Sequence, residues 1–207
     1  MRDIEELLRH VMPLAPACPE PVAIEHIRNA AIDFCTRTSL WRETDHIDKA
    51  DGDLEIICVP PYATLHRIER ALFDGQLLEP ITYPDAMDMI ARQHNNHGDQ
   101  GRPRYISQAQ PDSVRILPRG LGRLDISMVL KPHQDAEQLP DFLVDHHGRT
   151  LAAGALSTLL MLVNQPFTNP GLASIQLQIF ERDITNQFAM YLRGQQRARL
   201  RTKPSYF

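Results

Sequence analysis

The most regular hydrophobic pattern in the chain runs from Leu139 to Tyr191. Its first half predicts a helix, because apolar side chains recur at the i, i+3, i+4 and i+7 spacing that places them on one face. Those side chains are Ala152, Ala155, Leu156, Leu159, Leu160 and Val163. Pro140 and Asp141 stand at its start, where a helix tolerates proline and favours an anion.

The second half of this stretch predicts another amphipathic helix, after a proline-containing break at residues 165–170. Its apolar stripe consists of Leu177, Phe180, Ile184, Phe188 and Tyr191, with Leu172, Ile175 and Ile179 beside it. Two helices joined by so short a connection are expected to lie antiparallel.

The N-terminal region predicts two more helices. A short one carries apolar residues from Ile4 to Val11 and is ended by a series of prolines. A longer one runs from about Pro21 to near Trp41. Its inward positions are Ile24, Ile27, Ala31, Phe34 and Thr38.

Between these helical regions the pattern is typical of β-strands. Leu54, Ile56 and Cys58 alternate with Glu55 and Ile57. Residues 63–73 fit either a helix or a strand, but the Asp74-Gly75 pair favours a hairpin with a strand on each side. A brief helix is expected after Pro84-Asp85, and an exposed loop from His94 to Pro103. Strands are then expected over residues 105–117 and 124–130, where Leu124, Ile126, Met128 and Leu130 share one face.

These elements predict an α+β fold. Residues 1–41 and 139–192 are expected to form one helical bundle from both ends of the chain. Residues 42–138 are expected to be an inserted antiparallel β-rich unit with a short helix, and residues 193–207 a basic C-terminal tail.

Composition and charge narrow the class of protein. With 207 residues, 43% of them hydrophobic and 23% charged, the chain is expected to be an ordinary soluble protein. Acidic residues near the N-terminus argue against an export signal, so no export and no membrane partner are expected. Three widely spaced cysteines predict neither a disulfide framework nor a zinc site and fit a reducing compartment.

The tail is the one strongly charged segment. Residues 193–207 carry five basic residues and no acid, so the net charge of −4 becomes −9 for the rest of the chain. The residues concerned are Arg193, Arg197, Arg199, Arg201 and Lys203, followed by Tyr206 and Phe207. Such a segment predicts docking on an acidic or nucleic-acid surface, with the two aromatic rings as anchors.

No motif predicts an enzyme, a metal or a cofactor. The pairs His94/His97 and His146/His147 offer too few converging ligands for zinc, and no phosphate-binding loop or nucleophile motif occurs. A catalytic site around His94, His97 and Asp99 remains a minor alternative. A nucleic-acid-binding module that uses the basic tail is the stronger alternative.

A series of short motifs, in order along residues 24–187, resembles the head-to-tail adaptor proteins of tailed bacteriophages. This group is similar to the tail tubular protein A of short-tailed phages. The motifs are residues 27–35 closed by Trp41, Phe73-Asp74-Gly75 before Leu77-Leu78, residues 101–105, 114–118 and 139–141, residues 152–156 with Leu159-Leu160, Gln165-Pro166-Phe167 and Asn169-Pro170.

The resemblance implies a structural virion protein in the neck, made in the host cytoplasm. Copies of such a protein form a ring, usually a dodecamer, between the portal protein and a tail or nozzle protein, and DNA passes through its channel without sequence-specific binding. The resemblance implies that the C-terminal tail contacts the portal. It also implies that the loops of the β part contact the tail component. In this chain, those loop residues are Asp74, Gly75, His94, Asn95, His97, Arg102 and Arg104.

Overall fold

The computed structural model describes residues 1–51, 54–95 and 101–193, and the side chains of residues 92–95 and 188–193 lie outside that description. The chain divides into two compact units. Unit 1 combines Met1–Leu40 with the described part of Lys131–Phe207, and unit 2 is the continuous segment Trp41–Leu130. The sequence-based division placed the second boundary after residue 138, and in the structure unit 1 resumes at Lys131.

Five α-helices and ten strands occur in the described residues. The helices are α1 Leu8–Val11, α2 Glu20–Thr38, α3 Tyr83–Asn95, α4 Asp141–Leu159 and α5 Pro170–Arg193. The strands are β1 Arg2–Asp3, β2 Arg42–Ala50, β3 Leu54–Ile56, β4 Ala63–Phe73, β5 Gln76–Leu77, β6 Glu79–Pro80, β7 Tyr105–Ser107, β8 Ser113–Leu117, β9 Gly122–Pro132 and β10 Gln138–Leu139. A 3-10 turn, Ile4–Leu7, leads into α1.

The strands form three sheets. Two are four-stranded, with the orders β2-β9-β4-β5 and β3-β8-β7-β6, and the third pairs β1 with β10. Strands β6 and β7 run parallel, whereas β7 and β8 run antiparallel.

The chain is α+β, but the prediction of a helical bundle with one inserted antiparallel β unit was wrong. The sheets are extensive, one of them contains a parallel pair, and unit 1 has a small sheet of its own. The alternation of side chains reveals the faces of a strand but not its partner strand. Strands of two or three residues, such as β1, β6 and β10, are too short for any alternation to show.

Helix α4 forms the centre of unit 1, with α2 and α5 packed against it. Every residue from Leu151 to Ser157 is buried. A helix is buried on all sides when neighbouring elements cover most of its circumference. A Cβ atom added at Gly154 would lie 2.8 Å from Cε2 of Phe180 and 3.0 Å from Cβ of Ala30. The run of small residues therefore lets both neighbouring helices approach α4 closely.

Contacts between α4 and α5 show that the two helices are antiparallel, as predicted. The backbone N–H of Asn169 donates to the Leu160 carbonyl, and farther along, Oγ1 of Thr150 donates to the Asp183 carboxylate over 3.0 Å. Arg37 on α2 joins this layer by donating hydrogen bonds from both terminal guanidinium nitrogens to the Glu181 carboxylate on α5.

Two features of the predicted helices were wrong. Helix α4 ends at Leu159, and Val163, expected on its apolar face, lies in the following turn with its side chain 75% exposed. Leu177, expected on the inward stripe of α5, is 47% exposed. Among the side chains of that helix that the structure describes, those of Ala173, Phe180 and Ile184 are buried, and Phe188 and Tyr191 lie outside the described side chains.

In unit 2 the central strand follows the predicted alternation. Leu124, Ile126, Met128 and Leu130 of β9 are all buried, which confirms their common face. In β3 the apolar residue that becomes buried is Ile57, just after the strand, whereas Leu54 and Ile56 are exposed. The expected loop from His94 was also placed too early, because α3 continues to Asn95.

Candidate functional site

The predicted Asp74-Gly75 turn connects β4 to β5. Phe73 pairs with Gln76, so the loop has two residues, and both adopt positive φ angles of 46° and 77°. This geometry belongs to the tight turns that match the twist of a hairpin, and it favours Asp followed by Gly. The structure confirms the turn, and Gly75 lies in open space.

Asp74 is bound to the neighbouring strand. Its Oδ1 atom accepts a hydrogen bond of 2.9 Å from the backbone N–H of Arg123, and its own N–H donates to the Arg123 carbonyl over 2.8 Å. A Cβ atom at Gly122 would lie 2.6 Å from Oδ2 of Asp74, so the residue before Arg123 must be small. Asp74 thus holds the hairpin against β9, and Gly75 forms the accessible part of the turn.

Substitution of Asp74 should separate its structural role from a contact role. Asp74→Ala is expected to lower the free energy of unfolding by about 1 to 2 kcal/mol, because it removes the acceptor for Arg123 and places alanine in the left-handed region. Asp74→Asn keeps an oxygen acceptor and tolerates positive φ, so its urea unfolding curve should stay close to that of the parent protein. Equal losses in the two variants would contradict this role.

A charged cluster continues from the hairpin along β9. Nε of Arg123 donates to Oδ1 of Asp125 over 2.8 Å, and Nδ1 of His46 lies 2.7 Å from the same oxygen. The hydrogen bond from Arg123, followed by the contact with His46, lowers the pKa of Asp125. All three groups are at the surface, so the cluster fixes the side chains of adjacent strands and is open to solvent.

Arg102 and Arg104 lie in a segment that packs against the turn after β8. A Cβ atom at Gly120 would lie 2.6 Å from Cδ of Pro103, and the N–H of Arg104 donates to the Leu117 carbonyl over 2.9 Å. Both arginine side chains are exposed. The backbone of this segment is therefore fixed against the turn, and the guanidinium groups of both arginines are exposed to solvent.

The two predicted contact loops lie on either side of one segment of chain. Residues 118–120 contact the arginine segment, and residues 122–123 contact Asp74. Leu121, between them, is 76% exposed. The structure thus brings the hairpin turn, Arg102 and Arg104 to the same end of unit 2.

The other predicted contact residues are described in part or not at all. His94 and Asn95 form the end of α3, and Arg193 ends α5, but their side chains lie outside the described residues. His97, Arg197, Arg199, Arg201, Lys203, Tyr206 and Phe207 lie outside them altogether. The roles assigned to these residues stay predictions.

Unit 1 exposes apolar side chains around the connection between α4 and α5, here called the apolar turn surface. Its members are Met161, Leu162, Val163, Ile175 and Leu177. Sequence reasoning assigned Val163 and Leu177 to the core, because their spacing fits the apolar faces. Ile175 and Leu177 are two residues apart and therefore lie on different sides of α5, while Met161, Leu162 and Val163 adjoin one another in the turn. Large apolar groups exposed at one end of a helical layer are typical of a protein interaction surface.

A groove in unit 2 was not predicted. It runs beside residues 64–71 of β4, with Ile106, Ser107 and Gln108 on the opposite side. Its two cavities have volumes of about 570 and 360 Å³ and share His66 and Gln108. The predicted length of β4 gave no signal for this groove, because length alone does not show where a neighbouring strand ends.

His147, considered above as a metal ligand, belongs to the core of unit 1. It is buried, and its ring lies 5.0 Å from the ring of Phe34 on α2. Burial lowers the pKa of His147, the charge of His146 lowers it further, and Asp183 opposes both effects. The described residues contain no group of three or more His, Cys, Asp or Glu that could hold a metal ion.

This environment predicts that unit 1 loses stability in mild acid. Because folding lowers the pKa of His147, its full contribution is present above the unfolded value of 6.5 and is lost as the pH falls below it. Burial also lowers the pKa of His26, so part of the effect should remain in His147→Gln. The urea midpoint should therefore fall between pH 7.5 and 5.5, and fall less in that variant. Identical slopes in both proteins would contradict the assignment to His147.

None of the helices in residues 1–51, 54–95 and 101–193 is long and apolar enough to cross a membrane. No protein-family model matches the chain, and no curated protein matches it.

Proposed function

We propose that this chain is a structural virion protein, a head-to-tail adaptor whose copies form a ring between the portal and the tail. The observation that carries the proposal is the difference between the two ends of unit 1. One end bears the apolar turn surface. At the other end, where α4 begins, α5 finishes at Arg193 and the basic tail follows.

The apolar turn surface supports contact with a neighbouring copy. A ring protein needs two different patches that fit each other, because its subunits join head to tail. Exposed apolar groups such as Val163 and Ile175 would be covered in such a contact, which gives a favourable free energy of association. The long antiparallel pair of α4 and α5 supplies a stiff wall for the ring.

The basic tail supports contact with the portal. Four arginines and a lysine can pair with carboxylates, and the terminal Tyr206 and Phe207 can fill apolar pockets. The rest of the chain carries −9, and acidic walls would repel DNA and let it pass through a channel without adhering.

The exposed end of unit 2 supports contact with the tail component. Gly75, Arg102, Arg104 and Leu121 combine an open turn, two charges and an apolar side chain on backbone that the rest of the unit holds in place. Such a mixed surface on fixed loops suits a specific protein partner.

Native mass spectrometry with and without portal-bearing heads tests the proposal. We expect the protein to co-sediment with the heads and to be released from them as a closed oligomer, with a dodecamer as the expected ring. Protein that remains monomeric on the heads, or that does not bind them, would overturn the proposal.

A salt titration tests the alternative of a nucleic-acid-binding module. Binding to DNA in the absence of any head, with an affinity that falls steeply as salt is raised, would favour that alternative. The adaptor is expected to bind free DNA weakly compared with portal-bearing heads.

A further inference from the structure

The larger cavity of the groove combines buried and exposed apolar side chains. Leu78 and Ile106, here called the floor, line it and are buried. At its rim, Leu77 is 65% exposed and Tyr83 is 50% exposed. The volume of about 570 Å³ is within the range of ligand-binding pockets. Such a cavity suits an apolar side chain that enters from another molecule.

Ser107, in the same lining, has a buried hydroxyl without a partner. The residue is 5% exposed, and its hydroxyl forms no hydrogen bond among the residues that the structure describes. Buried hydroxyl groups in folded proteins nearly always have a partner. A polar group that enters the cavity would supply one.

Arg115 repeats this feature on the next strand. It pairs with Ser107 across β7 and β8, so the two side chains emerge side by side on the same face of the sheet. Its Nε atom is buried and also lacks a hydrogen-bond partner in the described part of the chain. A guanidinium N–H donates, and a hydroxyl can donate as well. A hydrogen-bond acceptor would therefore satisfy both groups.

The β4 side of the larger cavity adds positive charge. Arg70 lines it, is exposed and forms no ion pair among the described residues. Glu69, the acid in this lining, pairs with Arg42 over 3.0 Å and with Arg67 over 3.4 Å, so its charge is compensated within the chain. Asp112 lines the smaller cavity. Opposite charges favour association, so the larger cavity prefers an acidic occupant.

The groove is continuous with the end of unit 2 that carries the proposed contact with the tail component. Leu77 follows the Asp74-Gly75 turn by two residues. The backbone N–H of Glu79 donates to the Arg104 carbonyl over 2.8 Å, so β6 lies directly beside the arginine segment. A molecule bound at that end of unit 2 would therefore reach the groove.

We propose that the larger cavity receives an acidic segment of the tail component. An apolar side chain of that segment packs on the floor, and its carboxylate oxygens accept hydrogen bonds from Arg70 and Ser107. This inference rests on the proposed adaptor function and names the chemistry of its tail-side contact.

Small probes test the chemistry of the cavity in the full-length protein. N-acetyl-phenylalanine combines an apolar ring with a carboxylate, and N-acetyl-phenylalaninamide has the same ring without the charge. In a nuclear magnetic resonance titration, the carboxylate probe should shift the backbone N–H signals of Ile106 and Ser107 until saturation. The amide should bind about tenfold more weakly. Equal binding of the two probes, or binding of neither, would overturn the proposed site.

Two variants locate the charge that the probe meets. Arg70→Gln should reduce the affinity for N-acetyl-phenylalanine to that for the amide, because it removes the charge and keeps a polar side chain. Lys49→Gln removes an exposed positive charge from β2, which β9 separates from β4, and should bind as tightly as the parent protein. Equal losses in the two variants would mean a general effect of net charge and contradict the pairing with Arg70.

An assembly assay connects the cavity to the tail component. The double variant Arg70→Glu with Tyr83→Ala should keep its urea midpoint, because both side chains are exposed. It should still bind portal-bearing heads as a closed oligomer. Joining of the purified tail component to those heads should fall about tenfold, whereas Lys49→Glu should join normally.

The same assay distinguishes this contact from the adaptor function. Normal joining by the double variant would overturn the tail-side contact and leave the adaptor function standing. Loss of the closed oligomer in that variant would assign the groove to a neighbouring copy and likewise exclude the tail component. Failure of the parent protein to bind heads would overturn the adaptor function itself.

Discussion

Gly154→Val should unfold unit 1 at denaturant concentrations where the parent protein is folded, with a loss of about 3 kcal/mol in the free energy of unfolding. The position is closed on two sides. A Cβ atom would already lie 2.8 Å from Phe180 on α5 and 3.0 Å from Ala30 on α2, and valine adds two methyl groups. Because α4 is packed between both helices, a shift of α4 away from one helix would press it against the other. Urea unfolding followed by far-ultraviolet circular dichroism measures the loss.

Two variants separate this crowding from the effect of replacing glycine in a helix. Gly171→Ala, in the first turn of α5, places its methyl group 3.7 Å from Oδ1 of Asn169, an ordinary contact distance, and should be neutral or stabilising. Phe180→Leu removes the ring atoms that the new side chain would meet. The double variant Gly154→Val with Phe180→Leu should therefore lose less stability than the sum of the single variants. Strict additivity would show that Phe180 is not the source of the strain.

Deletion of residues 193–207 should abolish attachment to portal-bearing heads and leave a folded protein. The segment contributes five positive charges and two terminal aromatic rings, and the described core of unit 1 is made by residues up to Ile184. The unfolding midpoint should stay close to that of the parent protein, while co-sedimentation with heads should be lost. Normal attachment by the truncated protein would contradict the role of the tail.

Point variants of the tail identify which chemistry attaches it. Replacement of Arg197, Arg199, Arg201 and Lys203 with glutamine tests charge pairing, and its effect should be reproduced by raising the salt concentration. Tyr206→Ala with Phe207→Ala tests anchoring in apolar pockets, and salt should not reproduce that effect.

The sequence predicted the elements better than their arrangement. The alternation in β9 and the Asp74-Gly75 turn are local signals, and both were correct. The parallel pairing of β6 with β7 and the pairing of β1 with β10 join distant residues through strands of two or three residues. Such pairings follow from the whole fold and leave no periodic pattern in the sequence.

The wrong predictions of which side chains are buried have the same physical origin as the failure to predict the groove. The spacing of Val163 and Leu177 fits a helix face. Both side chains are nevertheless exposed, because they lie near the connection between α4 and α5, beyond the end of α4 at Leu159. Ile57 rather than Ile56 is buried because pairing with β8 decides which face of β3 turns inward. The groove depends on β5 ending after two residues. Hydrophobic periodicity shows which side chains can be buried, and the neighbouring elements decide which of them are.

The central position of α4 also sets an order of events during synthesis. Unit 2 is continuous in sequence, so it is complete once Leu130 has been made, whereas α4, against which α2 packs, is made only from Asp141 onward. At roughly 5 to 20 residues per second, translation from residue 38 to residue 141 takes about 5 to 20 s. Throughout that interval the apolar side of α2, which includes Ile27 and Phe34, lacks the cover of α4 and is available to chaperones.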